Sequence, residues 1–558
     1  MEYITDKIGE EYKEWRSGNR IYISAPTGSG KTTFILQKLL PYAAENGRKI
    51  LYLVNRKALK AQIQKEIDSI DGKYISEGYR GVREVIKITT YQKLEADIKS
   101  GICRLEGYYY VVCDESHYFL NDALFNTNTA ISFGHITQVR NEQGAIVIYI
   151  SATIDRFKRV TERMFTQDGS NRGNELSEQM HALANNFIKS EWVYSGIRNY
   201  DYCVPHFFSE ISELINIIKK SKEKWLVFYN DIVEGKKLEE QLNKGIHGEK
   251  EAIFIDAEYH KQKDSTAAVD SLVEQRSMKH RIIVSTATLD NGISIEDEGL
   301  RNVAIIADGE IEFVQMLGRK RRDGKQVHIY LGEHSQGEFQ KRYNKLSMLS
   351  KRLNEAKDYI LRNNHYGLSE KILMDAEFAE QAKKFLYQVP HKGPSFGGYI
   401  YLYSHFVINR FSEAEIEYKK VFYEQQIEKL KSDSKAYLKE QLGWLGFSAD
   451  TIDNMVSEDI EAQIENLQDK LSEALEEKLG HELSQEDNKK FKEQIKDELR
   501  RLLELVQEVP DSGIDSALSK NDRGFGTETF NRCMEICQLP YCMEGGRKKP
   551  FVIRKIEE

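Results

Sequence analysis

The stretch APTGSGKTT, Ala25 to Thr33, has the residue types of a loop that binds a triphosphate. Its glycines allow a tight turn whose backbone N–H groups point at phosphate oxygens. Lys31 provides a positive charge for the β- and γ-phosphates, and the hydroxyl of Thr32 can ligate Mg²⁺. Kinases, GTPases, transport ATPases and nucleic-acid motors all use such a loop, so it leaves the function open. The residues expected to contact the nucleotide here are Ala25, Pro26, Thr27, Gly28, Ser29, Gly30, Lys31, Thr32 and Thr33.

A pair of acidic residues, Asp114 and Glu115, follows the apolar run YYYVVC. A carboxylate at the end of a buried strand is costly unless it meets a cation. Asp114 is suited to hold Mg²⁺ together with Thr32, and Glu115 to orient or deprotonate an attacking water. Many strands end in acids, so the pair gains its meaning from its position 83 residues after Lys31, in the same predicted sheet.

Small hydroxyl residues follow the next apolar run, in the stretch SATID. Ser151 and Thr153 could hydrogen-bond to His117 and to the acidic pair. We therefore expect His117, Ser151 and Thr153 to couple the phosphate site to the boundary between two lobes. Taken alone, Ser-Ala-Thr is too common to indicate a function.

The stretch QMLGRKRR, Gln315 to Arg322, offers the cation that the site otherwise lacks for a transferring γ-phosphoryl group. Arg319 and Arg322 are spaced to lie on one face of a helix, and the planar fork of arginine binds phosphate bidentately. The alternative is a basic helix on the surface. The catalytic candidates are Lys31, Asp114, Glu115, Gln315, Arg319 and Arg322.

Polar loops after other strands are candidates for contact with a nucleic-acid backbone. Arg56, Thr90 and Thr286 each follow or end an apolar run. In the stretch VSTATLDNGISIED, Asp290 and Gly292 form a loop that could sense the nucleotide. Each of these is a weak signal because loops are ordinarily polar.

Two sets of strands must position these residues. Five short apolar runs rich in Ile, Val and Tyr occupy the first 155 residues, and five more lie between 224 and 333. Continuous apolar strands alternating with amphipathic stretches predict parallel sheets covered on both faces. The fold class is therefore α/β, with two lobes in tandem. The polar connection at roughly 163–205 is expected to carry a surface loop and a hinge.

Helical periodicity dominates after about residue 335. Ile460, Ile464, Leu467, Leu471 and Leu475 predict an amphipathic helix packed on a bundle, with a free coiled coil as the alternative. Another helix is expected to begin at Ser484, a capping residue. The predicted domains are lobe 1 at 1–200, lobe 2 at 201–335, a helical accessory domain at 336–510 and a small basic unit at 511–558. The last unit resembles either a winged helix or a plain terminal hairpin.

The bulk composition constrains the setting. The formal net charge of −8 argues against a surface coated in phosphate-binding charge, but a local basic groove would still suit nucleic acid. Six cysteines without framework spacing predict a reducing compartment, and the charged N-terminus lacks a signal peptide's apolar core. We expect a cytoplasmic protein without a membrane span, and the oligomeric state stays open. Cys533, Cys537 and Cys542 are more typical of buried thiols than of a zinc site, because a fourth ligand is missing nearby.

Taken together, APTGSGKT, DESH, SAT, STATLDNG and QMLGRKRR resemble, in order and lobe assignment, the motifs of superfamily 2 helicases of the DExH type. The resemblance covers about residues 15–335. It implies two RecA-like P-loop lobes that close on ATP and Mg²⁺, with nucleic acid lying across both. The layout also resembles helicases of bacterial phages and mobile elements.

The resemblance implies an ATP hydrolase that moves along a strand, with Arg319 and Arg322 acting across the lobes. No glutamine precedes the loop within residues 1–30, so the adenine-reading motif of DEAD-box RNA helicases is missing. DNA is therefore favoured over RNA as the partner. Two alternatives stay open: a duplex DNA translocase that does not separate strands, and an ATPase that moves protein with a similar motor.

Overall fold

The computed structural model divides into two compact units, Met1–Gly446 and Phe447–Glu558. The described residues are 3–26, 28–55, 57–76, 81–101, 105, 107–126, 128–170, 190–196, 200–286, 289, 295–307, 309–320, 323–362, 385–395, 398–506, 526–546 and 549–556. The bounds of the four predicted domains stay predictions.

The first sheet has six parallel strands in the order β3-β2-β4-β5-β1-β6. Its apolar side chains alternate between two buried clusters: Ile21 and Ile23 enter one, and Tyr22 enters the other. Both faces are therefore covered, as continuous apolar runs predict. The strands are β1 Arg20–Ser24, β2 Lys49–Val54, β3 Ile86–Thr90, β4 Tyr108–Cys113, β5 Ile146–Ser151 and β6 Glu191–Ser195.

Helices connect these strands and cover the sheet. The one after the Gly-rich loop runs from α2 through a π-helical turn, Ile35–Leu39, into α3. The helices of this lobe are α1 Ile4–Ile8, α2 Lys31–Phe34, α3 Leu40–Glu45, α4 Lys57–Ser76, α5 Tyr91–Lys99, α6 Tyr118–Asn121, α7 Thr129–Gln143 and α8 Ile154–Ser170.

The second sheet also has six parallel strands, in the order β7-β12-β11-β8-β10-β9. Its strands are β7 Cys203–Phe208, β8 Lys224–Tyr229, β9 Ala252–Ile255, β10 Ile282–Ser285, β11 Leu300–Ile306 and β12 Val327–Gly332. Its helices are α9 Ile211–Lys220, α10 Ile232–Asn243, α11 Lys263–Glu274 and α12 Glu310–Leu317. The α/β class with two tandem parallel lobes is thus confirmed.

The connection between the lobes departs from the prediction. We expected a loop and hinge over roughly 163–205, but β6 lies inside that range and β7 begins in it. Both are edge strands with mixed burial: in β6 the buried Trp192 and Tyr194 alternate with more exposed residues, and the middle of β7 is half-buried. Their sequences therefore lack the continuous apolar run of a central strand.

A helical segment completes the first unit. Helix α13, Gln336–Arg362, packs along α14, Arg410–Ser432, and α15, Ala436–Trp444, follows. Between α13 and α14 lies an antiparallel hairpin of β13, Leu386–Ser395, and β14, Gly398–Ile408.

The second unit is mostly helical, as predicted for the C-terminal region. The predicted periodic helix is α16, Ala449–Glu476, whose Leu471 and Leu475 are buried in a shared core. Ser484 caps α17, Gln485–Val506, through its Oγ, which accepts from the N–H of Asp487 at 3.1 Å. Helix α18, Thr527–Ile536, and a hairpin of β15, Tyr541–Gly546, and β16, Lys549–Lys555, complete it.

The segment between α16 and α17 adds to that hairpin. Leu479 and Leu483 form bridges with Ile553 and Phe551 of β16. Cys533 and Cys537 are buried, and burial raises the pKa of Cys537 to about 12, so it is a thiol at neutral pH. Among the described residues no helix is long and apolar enough to cross a membrane.

Candidate functional site

The Gly-rich loop joins the end of β1 to the start of α2. Gly28 and Gly30 have φ angles of 83° and 87°, a left-handed conformation that favours glycine. The ammonium of Lys31 crosses the loop and donates to the carbonyl oxygen of Ala25 at 2.8 Å. Ser29 donates its hydroxyl to the carbonyl of Pro26 at 2.7 Å, which fixes the turn. The loop therefore places a cation and a helix N-terminus at the carboxyl edge of the sheet, the arrangement that binds phosphate. Thr27 lies outside the described residues.

Asp114 begins the loop after β4, two strands away from β1. Only 6% of its surface is exposed. Its Oδ1 accepts from the N–H of Glu115 at 3.0 Å. Burial, and then the Glu115 carboxylate, raise the pKa of Asp114, whereas the nearby Lys31 ammonium lowers it. The site therefore holds more negative charge than its own residues balance, which favours a bound cation.

Glu115 and His117 lie on the same loop. Glu115 has a φ of 50°, a rare conformation for a residue with a side chain, of the kind found at functional sites. His117 Nδ1 lies 3.4 Å from Glu115 Oε2 and 3.1 Å from Ser151 Oγ. Burial, with smaller contributions from the charges of Lys31 and Arg319, lowers the pKa of His117 to about 4 against the opposing Glu115 carboxylate, so the ring is neutral at pH 7. Ser151 Oγ also accepts from the N–H of Thr153 at 3.1 Å. The structure thus brings the three predicted coupling residues together.

The second lobe contributes Arg319. Arg319 lies close enough to His117 of the first lobe to lower the pKa of its ring, although less than burial does. Arg319 is 2% exposed and donates from Nε to the carbonyl of Gln315 at 2.9 Å. The Nε2 of Gln315 is buried without a hydrogen-bond partner among the described residues, a costly arrangement that is typical of functional sites.

Arg319 does not lie in a helix, contrary to the prediction. α12 ends at Leu317, a turn follows, and Lys320 is bridged to Ile295. The reason is visible in the backbone: the carbonyl of Arg319 accepts from the N–H of Ile295 at 2.8 Å instead of continuing the helix. Arg322 lies outside the described residues.

The nucleic-acid candidates are less well supported by the geometry. Thr90 is buried and caps α5, its Oγ1 accepting from the N–H of Lys93 at 3.2 Å. That bond is the ordinary role of a threonine at this position. Thr286 follows β10 with its N–H bonded to Ile255. Arg56, Asp290 and Gly292 lie outside the described residues.

Two tyrosines that we did not predict hold the acidic loop. Tyr52 of β2 donates its hydroxyl to Asp114 Oδ2 at 2.9 Å, and Tyr91 donates to the Asp114 carbonyl at 2.8 Å. Burial raises the pKa of Tyr52, and the nearby Thr32 side chain partly offsets that rise. A tyrosine in a strand is typical of a core residue, so no sequence signal distinguishes Tyr52 from other tyrosines of the core.

Residues 2–156, which contain the loop, the acidic pair and Ser151 with Thr153, match the family described as "Type III restriction enzyme, res subunit". The chain is similar to this family over that segment, which spans most of the first lobe. The match ends just after β5, so Arg319 and the second lobe lie beyond it.

Solved structures similar to the chain include two helicases and Dbp5. The Mycobacterium smegmatis helicase Lhr bound to ssDNA and AMP-PNP is 18% identical, with a TM-score of 0.41 over 60% of this chain and 46% of that one. The Escherichia coli DEAH/RHA helicase HrpB is 14% identical, with a TM-score of 0.37 over 59% and 42%. Saccharomyces cerevisiae Dbp5 bound to RNA and ADP BeF3 is 12% identical, with a TM-score of 0.39 over 57% and 80%. The chain thus spans less than half of the length of the first two.

Proposed function

We propose that the protein is an ATP-dependent nucleic-acid motor that couples ATP hydrolysis to movement along a strand, with DNA favoured over RNA. The observation that carries the proposal is the arrangement around one acidic loop, where His117 lies 3.4 Å from Glu115 and 3.1 Å from Ser151. Lys31 of the first lobe and Arg319 of the second lie close enough to this loop to act on the charge of the ring. A site completed only when two lobes meet can convert hydrolysis into relative movement.

The roles of the residues follow from their positions. Lys31 and the N-terminus of α2 bind the phosphates of ATP. Glu115, held in its strained conformation beside His117, orients and deprotonates the attacking water. Arg319 stabilises the charge that develops on the transferring phosphoryl group. Ser151 and Thr153 sense the state of that site through His117 and pass it to α8, which begins at Ile154.

The oxygen donors at the site fit Mg²⁺, which would neutralise phosphate charge when bound with ATP. Asp114 is a buried carboxylate beside a second carboxylate, and the Tyr52 hydroxyl that donates to it lies near Thr32. Thr32 and Asp114 are therefore the residues that would hold the ion. A hard cation prefers such an all-oxygen set.

The distribution of charge supports nucleic-acid binding by the first unit. Residues 447–558 contain 26 Asp and Glu against 16 Lys and Arg, a net charge of −10. Residues 1–446 therefore carry +2 of the chain's total of −8. The acidic second unit repels a phosphate backbone, so we assign the strand to the two lobes, with Arg56, Thr90 and Thr286 as candidate contacts.

Two experiments test the proposal. ATP hydrolysis is measured with single-stranded DNA, duplex DNA and RNA separately, alongside Lys31→Ala, which should abolish turnover while retaining the fold. Stimulation by single-stranded DNA above RNA supports the proposal, and unchanged hydrolysis with every nucleic acid contradicts it in favour of a protein-moving ATPase. A strand-displacement assay beside a triplex-displacement assay then separates helicase from duplex translocase, since displacement of the triplex strand alone contradicts unwinding.

A further inference from the structure

Helix α14 lies outside both sheets and contacts both lobes of the first unit. Together with α15 it forms a segment that we name the strap, residues 410–444. A cavity beside α14 is lined by Arg156 of α8, by Glu310 and Glu312 of α12, and by Glu415 and Lys419 of α14. The strap therefore lies where the helix after Ser151 and Thr153 approaches the helix before Arg319.

The start of the strap is fastened to the first lobe. Phe411 packs in the aromatic cluster of that lobe, with its ring centre 4.9 Å from Phe133 and 5.9 Å from Phe119. Just before the helix, Asn409 donates to Thr129 Oγ1 at 3.1 Å, and Ser412 donates to the carbonyl of Ala123 at 2.8 Å. All of these contacts are buried, so this end holds firmly.

The end of the strap is fastened to the second lobe. Tyr437 of α15 donates to the carbonyl of Ala307 at 2.7 Å, and Gln441 donates to that of Gly332 at 3.1 Å. Trp444 packs on Phe313 of α12 itself, with ring centres 5.4 Å apart. The strap thus reaches the arginine-bearing segment through apolar contacts as well.

Between these ends runs a chain of charges. Arg156 pairs with Glu415, which is 1% exposed, and stacks on the ring of Tyr418 at 3.6 Å. Lys419 lies 3.4 Å from Glu415 and 3.6 Å from Glu312. A carboxylate as buried as Glu415 requires both cations, since removing either leaves charge that the interior solvates poorly. Positive and negative side chains therefore alternate from the first lobe to the second, in the order Arg156, Glu415, Lys419 and Glu312.

Each end of this series adjoins a proposed functional residue. Arg156 lies in the first turn of α8, a helix that begins at Ile154, directly after Thr153. Glu312 lies in the first turn of α12, and this helix ends two residues before Arg319. Asn230 also donates a hydrogen bond to Glu312, at 3.3 Å. A displacement of α12 relative to α8 therefore displaces Arg319 from the acidic loop.

We propose that Glu415 and Lys419 are positioning residues that set the place of α12, and so of Arg319, relative to the first lobe. This inference rests on the proposed function for its kinetic consequence but on the contacts above for its geometry. The Lys419–Glu312 pair is the direct charged contact in this series between α14 and α12.

The test compares Lys419→Met, Glu312→Gln and the double variant with two controls on α14, Lys431→Met and Glu417→Gln, whose side chains are exposed. We expect Lys419→Met to lower kcat about tenfold, because a misplacement of about 1 Å can cost a hundredfold, while the Kd for a fluorescent ADP analogue changes less than about twofold. Lys419→Arg should restore most of the rate. The double variant should be no slower than the slower single variant.

A second readout does not depend on turnover. Fluorescence energy transfer between labels at Lys87 of the first lobe and Lys237 of the second reports the distance between them, and Lys419→Met should change it where the controls do not. Unchanged kcat with unchanged transfer overturns the inference, as do additive effects of the two single variants. If the wild-type protein hydrolyses no ATP, the proposed function fails, and the energy transfer alone then decides on the strap.

Discussion

Tyr52 and Asp114 are joined by a 2.9 Å hydrogen bond between neighbouring strands, from the phenol to Oδ2 of the carboxylate. We predict that Tyr52→Phe raises the Mg²⁺ concentration for half-maximal ATP hydrolysis about tenfold, because groups that orient a metal ligand are worth about ten- to a hundredfold in metal affinity or activity. Hydrolysis rates measured over a range of Mg²⁺ concentrations check this.

A matched control exists on β4. Tyr110 is also buried and hydrogen-bonds to Arg48 at 3.2 Å, away from the acidic loop. Tyr110→Phe should leave the Mg²⁺ dependence unchanged. If both variants shift it equally, the effect comes from packing of the sheet and not from Asp114.

Arg319→Lys should retain ATP binding and lose hydrolysis. The variant keeps the charge but loses the planar fork that contacts phosphate oxygens bidentately, and loss of a transition-state arginine costs about 10³-fold or more. Single-turnover hydrolysis and nucleotide affinity are measured together. Arg276→Lys, in an exposed pair with Glu296 of the same lobe, is the control. Normal hydrolysis by Arg319→Lys would mean that the second lobe does not complete the site.

The sequence predicted the residues of the candidate site better than the residues that hold them in place. Asp114, His117 and Ser151 fall together because parallel strands end at one edge of a sheet, and apolar runs reveal those strands. The buried tyrosines carry no such signal, since Tyr52 differs from any other strand tyrosine only in what lies opposite it.

Contacts distant in sequence were equally hidden. The pairing of Arg156 with Glu415 spans 259 residues, and nothing in either local sequence indicates the other. The edge strands β6 and β7 were not predicted, because strands of five or six residues with mixed burial resemble a polar connecting segment in sequence. Thr90, at the end of β3, shows that one position can suit two roles: it caps α5, and its contact with nucleic acid stays a prediction.

The stability of the first unit should depend on pH through His117. Its pKa is about 4 when folded and 6.5 ordinarily, so the unfolded chain binds more protons between these values. The unfolding free energy therefore rises with pH through this window, by about 3 kcal/mol in all, relative to His117→Gln. We compare the unfolding free energies of the wild-type protein and His117→Gln because the raised pKa of Asp114 makes the unfolding free energy fall with pH in both. Denaturation in EDTA at pH 4, 5, 6 and 7 checks this; parallel curves would contradict it.

The second unit contains a buried lysine whose replacement should stabilise it. Lys492 is 3% exposed, with its ammonium 5.7 Å from the centre of the Phe530 ring and 5.9 Å from that of Phe551. Burial lowers the pKa of Lys492 to about 8 from its ordinary 10.5. Since the folded state then binds fewer protons between pH 8 and 10.5, the unfolding free energy rises with pH through this window, and below pH 8 the full cost of the buried charge applies.

Lys492→Met keeps the apolar stem and removes the charge, so we expect it to stabilise this unit by about 1–3 kcal/mol at pH 7 and to abolish the rise above pH 8. Thermal unfolding of the full chain at pH 7 and pH 9.5 provides the measurement. Lys490→Met, in an exposed pair with Glu486 one helical turn away, should change the stability by less than about 1 kcal/mol. A destabilised Lys492→Met variant would show that the contacts of the ammonium with the two rings outweigh the cost of burying it.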